Sequence, residues 1–196
     1  MYKLTDRMLQ HLEKELQKFH ELFQGGRCQA WQMEELIAKA IRSDFTKNEK
    51  VLWKGNGHDI GCDILINDTK ELQIKSGVIK DNNLILSGHR LGRFAANMQD
   101  ITDFLNTNKY WSIAVPYHTK DDSMGRSHIY QLVYFENKIL GLDDVSKWEL
   151  RNKNYYATNN YGVELSIRPS MSWQIWWKIP INNLSAESKT RQLIIK

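Results

Sequence analysis

One short stretch holds residues whose types and spacing suit chemistry. In GHDIGCDILINDTKELQIKSG, residues 57–77, Asp63 is followed after nine intervening residues by Gln73-Ile74-Lys75. Period-two alternation puts Asp63 on one face of a strand, and Gln73 and Lys75 together on one face of the next. Directly opposed residues in an antiparallel pair share a face. A loop of about three residues therefore pairs Asp63 with either Gln73 or Lys75. A two-residue turn would oppose Asp63 to Ile74 and disperse the group. A carboxylate, an amide oxygen and an ammonium on one sheet face suit a hard divalent cation such as Mg²⁺, which takes oxygen ligands. A lysine beside that ion orients an attacking water or stabilises negative charge developing on a phosphate.

These side chains need a hairpin and elements to brace it. Apolar residues Met8, Leu12, Leu16, Phe19 and Phe23 fall at helical spacing over 6–23, with Thr5 as N-cap and Gly25-Gly26 as the stop. A second helical pattern over 29–45 runs through Met33, Ile37, Ala40, Ile41 and Phe45. The period then changes to that of strands, at Val51–Trp53, 59–66, 71–76 and 83–87, with Asn67-Asp68-Thr69-Lys70 as the hairpin loop. A third helix fits 91–106 through Leu91, Phe94, Ala95, Met98, Ile101 and Leu105. Strands at 110–117 and 129–135 flank a polar loop, 118–128. Past Gly141 come a short helical stretch and strands near 163–168 and 174–179, in an otherwise irregular, aromatic-rich tail. The order predicts an α/β (α+β) fold, a mixed central sheet flanked by helices.

With 196 residues, 41% hydrophobic and 26% charged, the chain buries a core without staples and is not a disordered polymer. Two cysteines, Cys28 and Cys62, exclude a disulfide framework or a multi-cysteine zinc site. The charged N-terminal residues do not read as a signal peptide, and no apolar run reaches membrane-spanning length, so a reducing, cytoplasmic setting is expected. The net charge of +4 is uneven: residues 151–196 carry seven Lys/Arg against two Glu, leaving −1 for the rest. A basic C-terminal quarter points to an anionic partner.

Asp63, the spacing to Gln73-Ile74-Lys75, the preceding Gly61 and the apolar residues after Asp63 resemble the PD-(D/E)XK nuclease superfamily, and within it the type II restriction endonucleases. The predicted order over about 29–117, helix, three antiparallel strands, helix, strand, resembles that family's core. The resemblance implies a restriction-endonuclease-like fold in one domain, 1–196. Its core is about 29–135, and 136–196 supply DNA-recognition or dimer elements. It implies a Mg²⁺-dependent, sequence-specific endonuclease on double-stranded DNA, acting as a homodimer. The catalytic set it implies is Asp63, Gln73, Lys75 and Glu34, and the metal ligands are Asp63, Gln73, Ile74 and Glu34. Glu34 is preferred to Glu35 because it lies three residues before Ile37 and seven before Ile41, on the core-facing stripe. Asp59, beside His58, rivals Asp63. Gln73 departs from the family's more usual acid. It keeps a carbonyl ligand and loses a charge, which Glu71 is placed to restore. A repair or junction-resolving nuclease, or a non-catalytic DNA-binding module on this scaffold, are the alternatives.

His89, Arg90 and Arg93, expected at the start of the third helix, suit a phosphate. Arg126, in the polar loop, is placed to enter a groove. In the tail, Asn159 and Asn160 suit adenine and Arg168 suits guanine. The tail aromatics Tyr155, Tyr156, Tyr161, Trp173, Trp176 and Trp177 read mainly as core or dimer interface. Ser170-Met171-Ser172 forms the turn between the last two predicted strands.

Overall fold

A computed structural model of the chain describes residues 4–45, 50–54, 62–94, 96–107, 110–123, 125–184 and 189–196. The fold is mixed α/β, with three α-helices and eleven strands among the described residues. In chain order these are α1 (Asp6–Leu22), α2 (Ala30–Arg42), β1 (Val51–Trp53), β2 (Ile64–Ile66), β3 (Lys70–Lys80), β4 (Asn83–Arg90), α3 (Met98–Asn106), β5 (Trp111–Asp122), β6 (Gly125–Glu136), β7 (Glu149–Arg151), β8 (Asn154–Thr158), β9 (Glu164–Arg168), β10 (Gln174–Pro180) and β11 (Lys189–Ile195). The chain divides into two compact units, one of Met1–Ser76, Tyr110–Tyr134 and Lys189–Lys196, the other of Gly77–Lys109 and Phe135–Ser188. β3 gives its first residues to one and its last to the other. No helix among the described residues is long and apolar enough to cross a membrane.

The first unit is built on an amphipathic helix pair. Thr5 caps α1, its side-chain oxygen accepting from the Met8 N–H at 3.0 Å. Met8, Leu12 and Leu16 of α1 and Ile37 and Ile41 of α2 are fully buried with Ile64, Ile66, Leu72, Ile113 and Leu132 from the strands. Each such side chain contributes roughly 1.5–3 kcal/mol of burial. Here β11, β6, β5 and β3 lie side by side, β2 pairs with β3, and β1 pairs with β2. β5 is buried on both faces over 112–116, and its neighbour β6 over 127–130 and 132–135.

In the second unit the end of β3 is followed by β4, β10, β9, β8 and β7. Two tight hairpins set its register: Asp81-Asn82 (φ 48° and 57°) joins β3 to β4, and Asn152-Lys153 (φ 48° and 66°) joins β7 to β8. Left-handed pairs of this kind match the strand twist, and Asn and Asp tolerate them. Along these strands Leu84, Leu86, Leu165, Ile167, Ile175, Trp177 and Ile179 are buried, and the residues between them are partly or wholly exposed. The Trp177 indole donates to the Leu140 carbonyl at 2.9 Å and its ring lies on bare backbone at Gly88. A Cβ at Gly88 would sit 2.1 Å from that ring.

Several expectations are corrected. The third helix begins at Met98, not residue 91. Ala96 adopts a left-handed φ of 66°, which breaks the helix, and Asn97 then caps the new start by accepting from the Gln99 and Asp100 N–H groups. Leu91 belongs instead to the β4–β10 region, donating to the Trp173 carbonyl at 3.1 Å. The supposed loop 118–128 is mostly strand, because β5 and β6 extend to Asp122 and from Gly125. The tail is more regular than expected and gains β7, β8 and β11. The strand expected over 59–66 is seen only as β2; His58, Asp59 and Gly61 lie outside the described residues.

Candidate functional site

The hairpin register is decided by the loop between β2 and β3. Ile66 pairs with Lys70, Leu65 with Glu71 and Ile64 with Leu72, so the connection is the three residues Asn67–Thr69. Asn67 and Asp68 turn it with φ of 50° and 56°, and Asn67 Oδ1 accepts from the Lys50 N–H at 2.8 Å. The regular pairing ends at Ile64 and Leu72, and Asp63 lies one residue before it, at the mouth of the hairpin.

Asp63 is fixed from three sides. Its N–H donates to the Leu72 carbonyl at 3.0 Å, and its carbonyl accepts from the Lys54 N–H at 2.8 Å. Its Oδ2 accepts from the Ile74 N–H at 2.6 Å. The carboxylate therefore continues the β2–β3 ladder with a side chain. Burial pushes its pKa up, while the Ile74 N–H and the Lys75 charge pull it down. Gln73 is 5% exposed. Lys75 is half-buried, and loss of water around its ammonium lowers its pKa to about 8, against the pull of Asp63.

Glu34 reaches the same corner from α2. Met33 and Ile37 face the core on either side of it, leaving Glu34 half-buried and Glu35 exposed. The Trp53 indole donates to Glu34 Oε2 at 3.4 Å. Burial raises the Glu34 pKa, the charge of Asp63 raises it further, and Trp53 opposes both. Two carboxyl groups thus act on each other in one partly dehydrated corner, which the Lys75 charge also reaches. The sequence missed Trp53 as a partner, because its role needs β1 paired on β2 and α2 laid against β1. Glu71 is exposed, and its charge acts on Tyr110 and Cys62. Among the described residues no three of His, Cys, Asp and Glu come together.

The residues assigned to DNA are scattered over other elements. His89 and Arg90 end β4 and Arg93 lies in a single 3₁₀ turn, so none of them stands at a helix N-terminus. The Arg93 guanidinium stacks 4.7 Å from the Phe94 ring and 4.6 Å from the Phe104 ring, and His89 meets Phe104 edge-on. Arg126 is exposed on β6, paired to Asp121 at 2.9 Å. Asn160 accepts from Lys147 at 2.8 Å. Asn159 is interior and saturated. Its Nδ2 donates to the Ile139 and Gly141 carbonyls at 2.8 and 2.7 Å, and its Oδ1 accepts from the Tyr161 and Val163 N–H groups at 3.0 Å. With all four positions used it organises a turn and has nothing left for a base. Arg168 is exposed at the end of β9, 5.1 Å from the centre of the Trp176 ring.

Compared with known proteins, the chain matches no family model, no curated protein and no solved structure.

Proposed function

We propose that this chain is a Mg²⁺-dependent endonuclease that hydrolyses phosphodiester bonds of double-stranded DNA at specific sequences, in the manner of a type II restriction enzyme. One observation carries the reading: the Asp63 carboxylate, held by the Ile74 N–H at 2.6 Å, lies within electrostatic reach of both Lys75 and Glu34. The residues fit a hard cation. Burial raises the pKa of both Asp63 and Glu34, and Asp63 adds to the rise at Glu34, so positive charge between them is favoured. Asp63, Gln73 and Glu34 would hold Mg²⁺, with Ile74 offering its backbone carbonyl. When bound, the ion stabilises negative charge on the phosphate and eases deprotonation of water.

The chain's own residues do the rest. The Ile74 N–H fixes the orientation of the Asp63 carboxylate, which is the preorganisation a cation site needs. Trp53 holds Glu34 in the same way. Lys75 stands beside the scissile phosphate, where it orients the incoming water or balances charge as the P–O ester bond breaks. One such site per chain cuts one strand, so cutting both strands at a palindrome calls for a homodimer. The free, buried thiols of Cys28 and Cys62 are in keeping with a reducing cytoplasm.

The test is supercoiled plasmid incubated with the protein and Mg²⁺. Discrete fragments, abolished by EDTA and by Asp63→Ala, are expected. Discrete cutting by Asp63→Ala at the wild-type rate would remove this site from the reaction.

A further inference from the structure

In the second unit, one face of the β7–β8–β9–β10–β4 sheet carries the buried side chains. The other carries a straight line of polar ones. Arg151 pairs with Asn154, Arg168 with Gln174, and Gln174 with Arg90. Asn154 meets Arg168 one step beyond the Tyr155–Ile167 pair. Directly paired residues share a face, so the row Arg151, Asn154, Arg168, Gln174, Arg90 crosses all five strands on one side. A bulge in β4, where the register with β10 shifts between Gln174 and Trp176, brings Arg90 into the line. At about 4.8 Å per strand the row is roughly 19 Å long.

Its chemistry is uniform. Guanidinium and carboxamide groups alternate, and none of the five is buried. Arg151 pairs with Glu149. Among the described residues, the side chains of Arg90, Asn154, Arg168 and Gln174 make no hydrogen bond or ion pair. The Arg168 guanidinium lies over the Trp176 ring, and the Trp176 indole N–H is itself buried without a partner among the described residues. The adjacent row is Glu149, Tyr156, Ser166, Trp176 and Ser87, small or aromatic apart from its terminal glutamate.

We infer that this row is a binding surface for duplex DNA, lying along it and contacting about five base-pair steps at ~3.4 Å each. It rests on the nuclease reading for the choice of a nucleic acid, and on the sheet alone for its geometry. Arginine forks match guanine edges and phosphates, and Asn and Gln amides match adenine. Uncommitted arginines supply the charge complementarity. A single strand would use open aromatic faces for stacking, but Arg168 already lies on Trp176.

The test is fluorescence-anisotropy binding of duplex DNA in Ca²⁺, over a series of salt concentrations, with the full chain. Arg90→Ala/Arg168→Ala should bind at least tenfold more weakly, and the slope of log K against log salt should fall by about 2. Arg168→Lys should keep the salt slope and lose discrimination among sequences. Removing two charges from α1 with Arg7→Ala/Lys14→Ala should change affinity less than threefold. Circular dichroism and melting confirm folding, and Arg90→Ala alone, at an exposed strand end, repeats the test with the smallest change. Wild-type affinity in the double variant, a loss no larger than in the α1 control, preference for single-stranded DNA or RNA, or no binding at low salt would each overturn the inference. If plasmid cutting fails while the row behaves as stated, the nuclease reading falls and the row stands; the reverse result removes the row alone.

Discussion

In the proposed site Gln73→Glu adds a third carboxyl group to those of Asp63 and Glu34, and its effect should change sign with metal. Gln73 is 5% exposed, so the new carboxylate has little water to solvate it. Burial already raises the pKa of both acids; Ile74 and Lys75 offset that at Asp63, and Trp53 offsets it at Glu34. An uncompensated buried charge costs about 3–5 kcal/mol, and a nearby lysine recovers part of that. We expect a net loss of about 1–3 kcal/mol in EDTA, or roughly 2–10 °C in melting temperature for a chain of this size. Mg²⁺ at about 100 times its Kd returns about 2.7 kcal/mol, and the extra charge tightens that Kd. The variant should therefore melt below wild type in EDTA and close to or above it in millimolar Mg²⁺. Its cleavage curve should move to lower Mg²⁺ concentration. Gln73→Ala should move that curve the other way or lose activity. Differential scanning fluorimetry against Mg²⁺ and plasmid cleavage read the two effects. If Gln73→Glu and wild type gained the same melting temperature from Mg²⁺, or Gln73→Ala cut like wild type throughout, Gln73 would lie outside any metal site.

Lys75→Met should lower the cleavage rate by about 10²–10⁴-fold without weakening DNA binding in Ca²⁺. Because burial already disfavours its ammonium, the variant should be at least as stable as wild type in urea; a large stability loss would make Lys75 a structural residue. Glu34→Gln should slow cleavage at least tenfold and Glu35→Gln less than twofold, and equal effects would reassign the helix acid. Glu15, bonded to Lys39 at 2.6 Å and Lys18 at 2.9 Å, has its pKa held down to about 2 by those lysines. That contribution is complete above the ordinary value of 4.5 and is lost as pH falls from there towards 2. With both lysines about half exposed, Glu15→Gln should cost about 1–2 kcal/mol at pH 7 and only a small part of that at pH 2, read by urea melts at each pH. Asn159→Ala should cost about 3–5 kcal/mol in the same melts, since two buried carbonyls and two N–H groups lose their partner.

Local signals in the sequence carry much of this. The alternation around Asp63 and the left-handed-tolerant Asn67-Asp68 are enough to give an antiparallel hairpin with a loop of about three residues. Thr5, and the spacing of Met33, Ile37 and Ile41, likewise place the helices and put Glu34 nearer the site than Glu35. The failures are non-local. Nothing near residue 96 announces a left-handed turn, and the helical spacing of Leu91 and Phe94 continues through it. Asn159 looks like a surface amide until the distant Ile139 and Gly141 carbonyls join the nearby Tyr161 and Val163 N–H groups on it. The line from Arg151 to Arg90 joins five strands and depends on a bulge, so no window of sequence contains it.

Gly88 and Trp177 also leave a mark that evolution can read. The indole occupies the space where any other residue at 88 would place its Cβ, so each position restricts the other. Among descendants of this chain, a side chain should appear at position 88 only alongside a residue smaller than tryptophan at position 177. That joint substitution must also leave the Leu140 carbonyl a new donor, which makes the route narrow. The pair should therefore vary together or not at all, while the exposed positions around it drift.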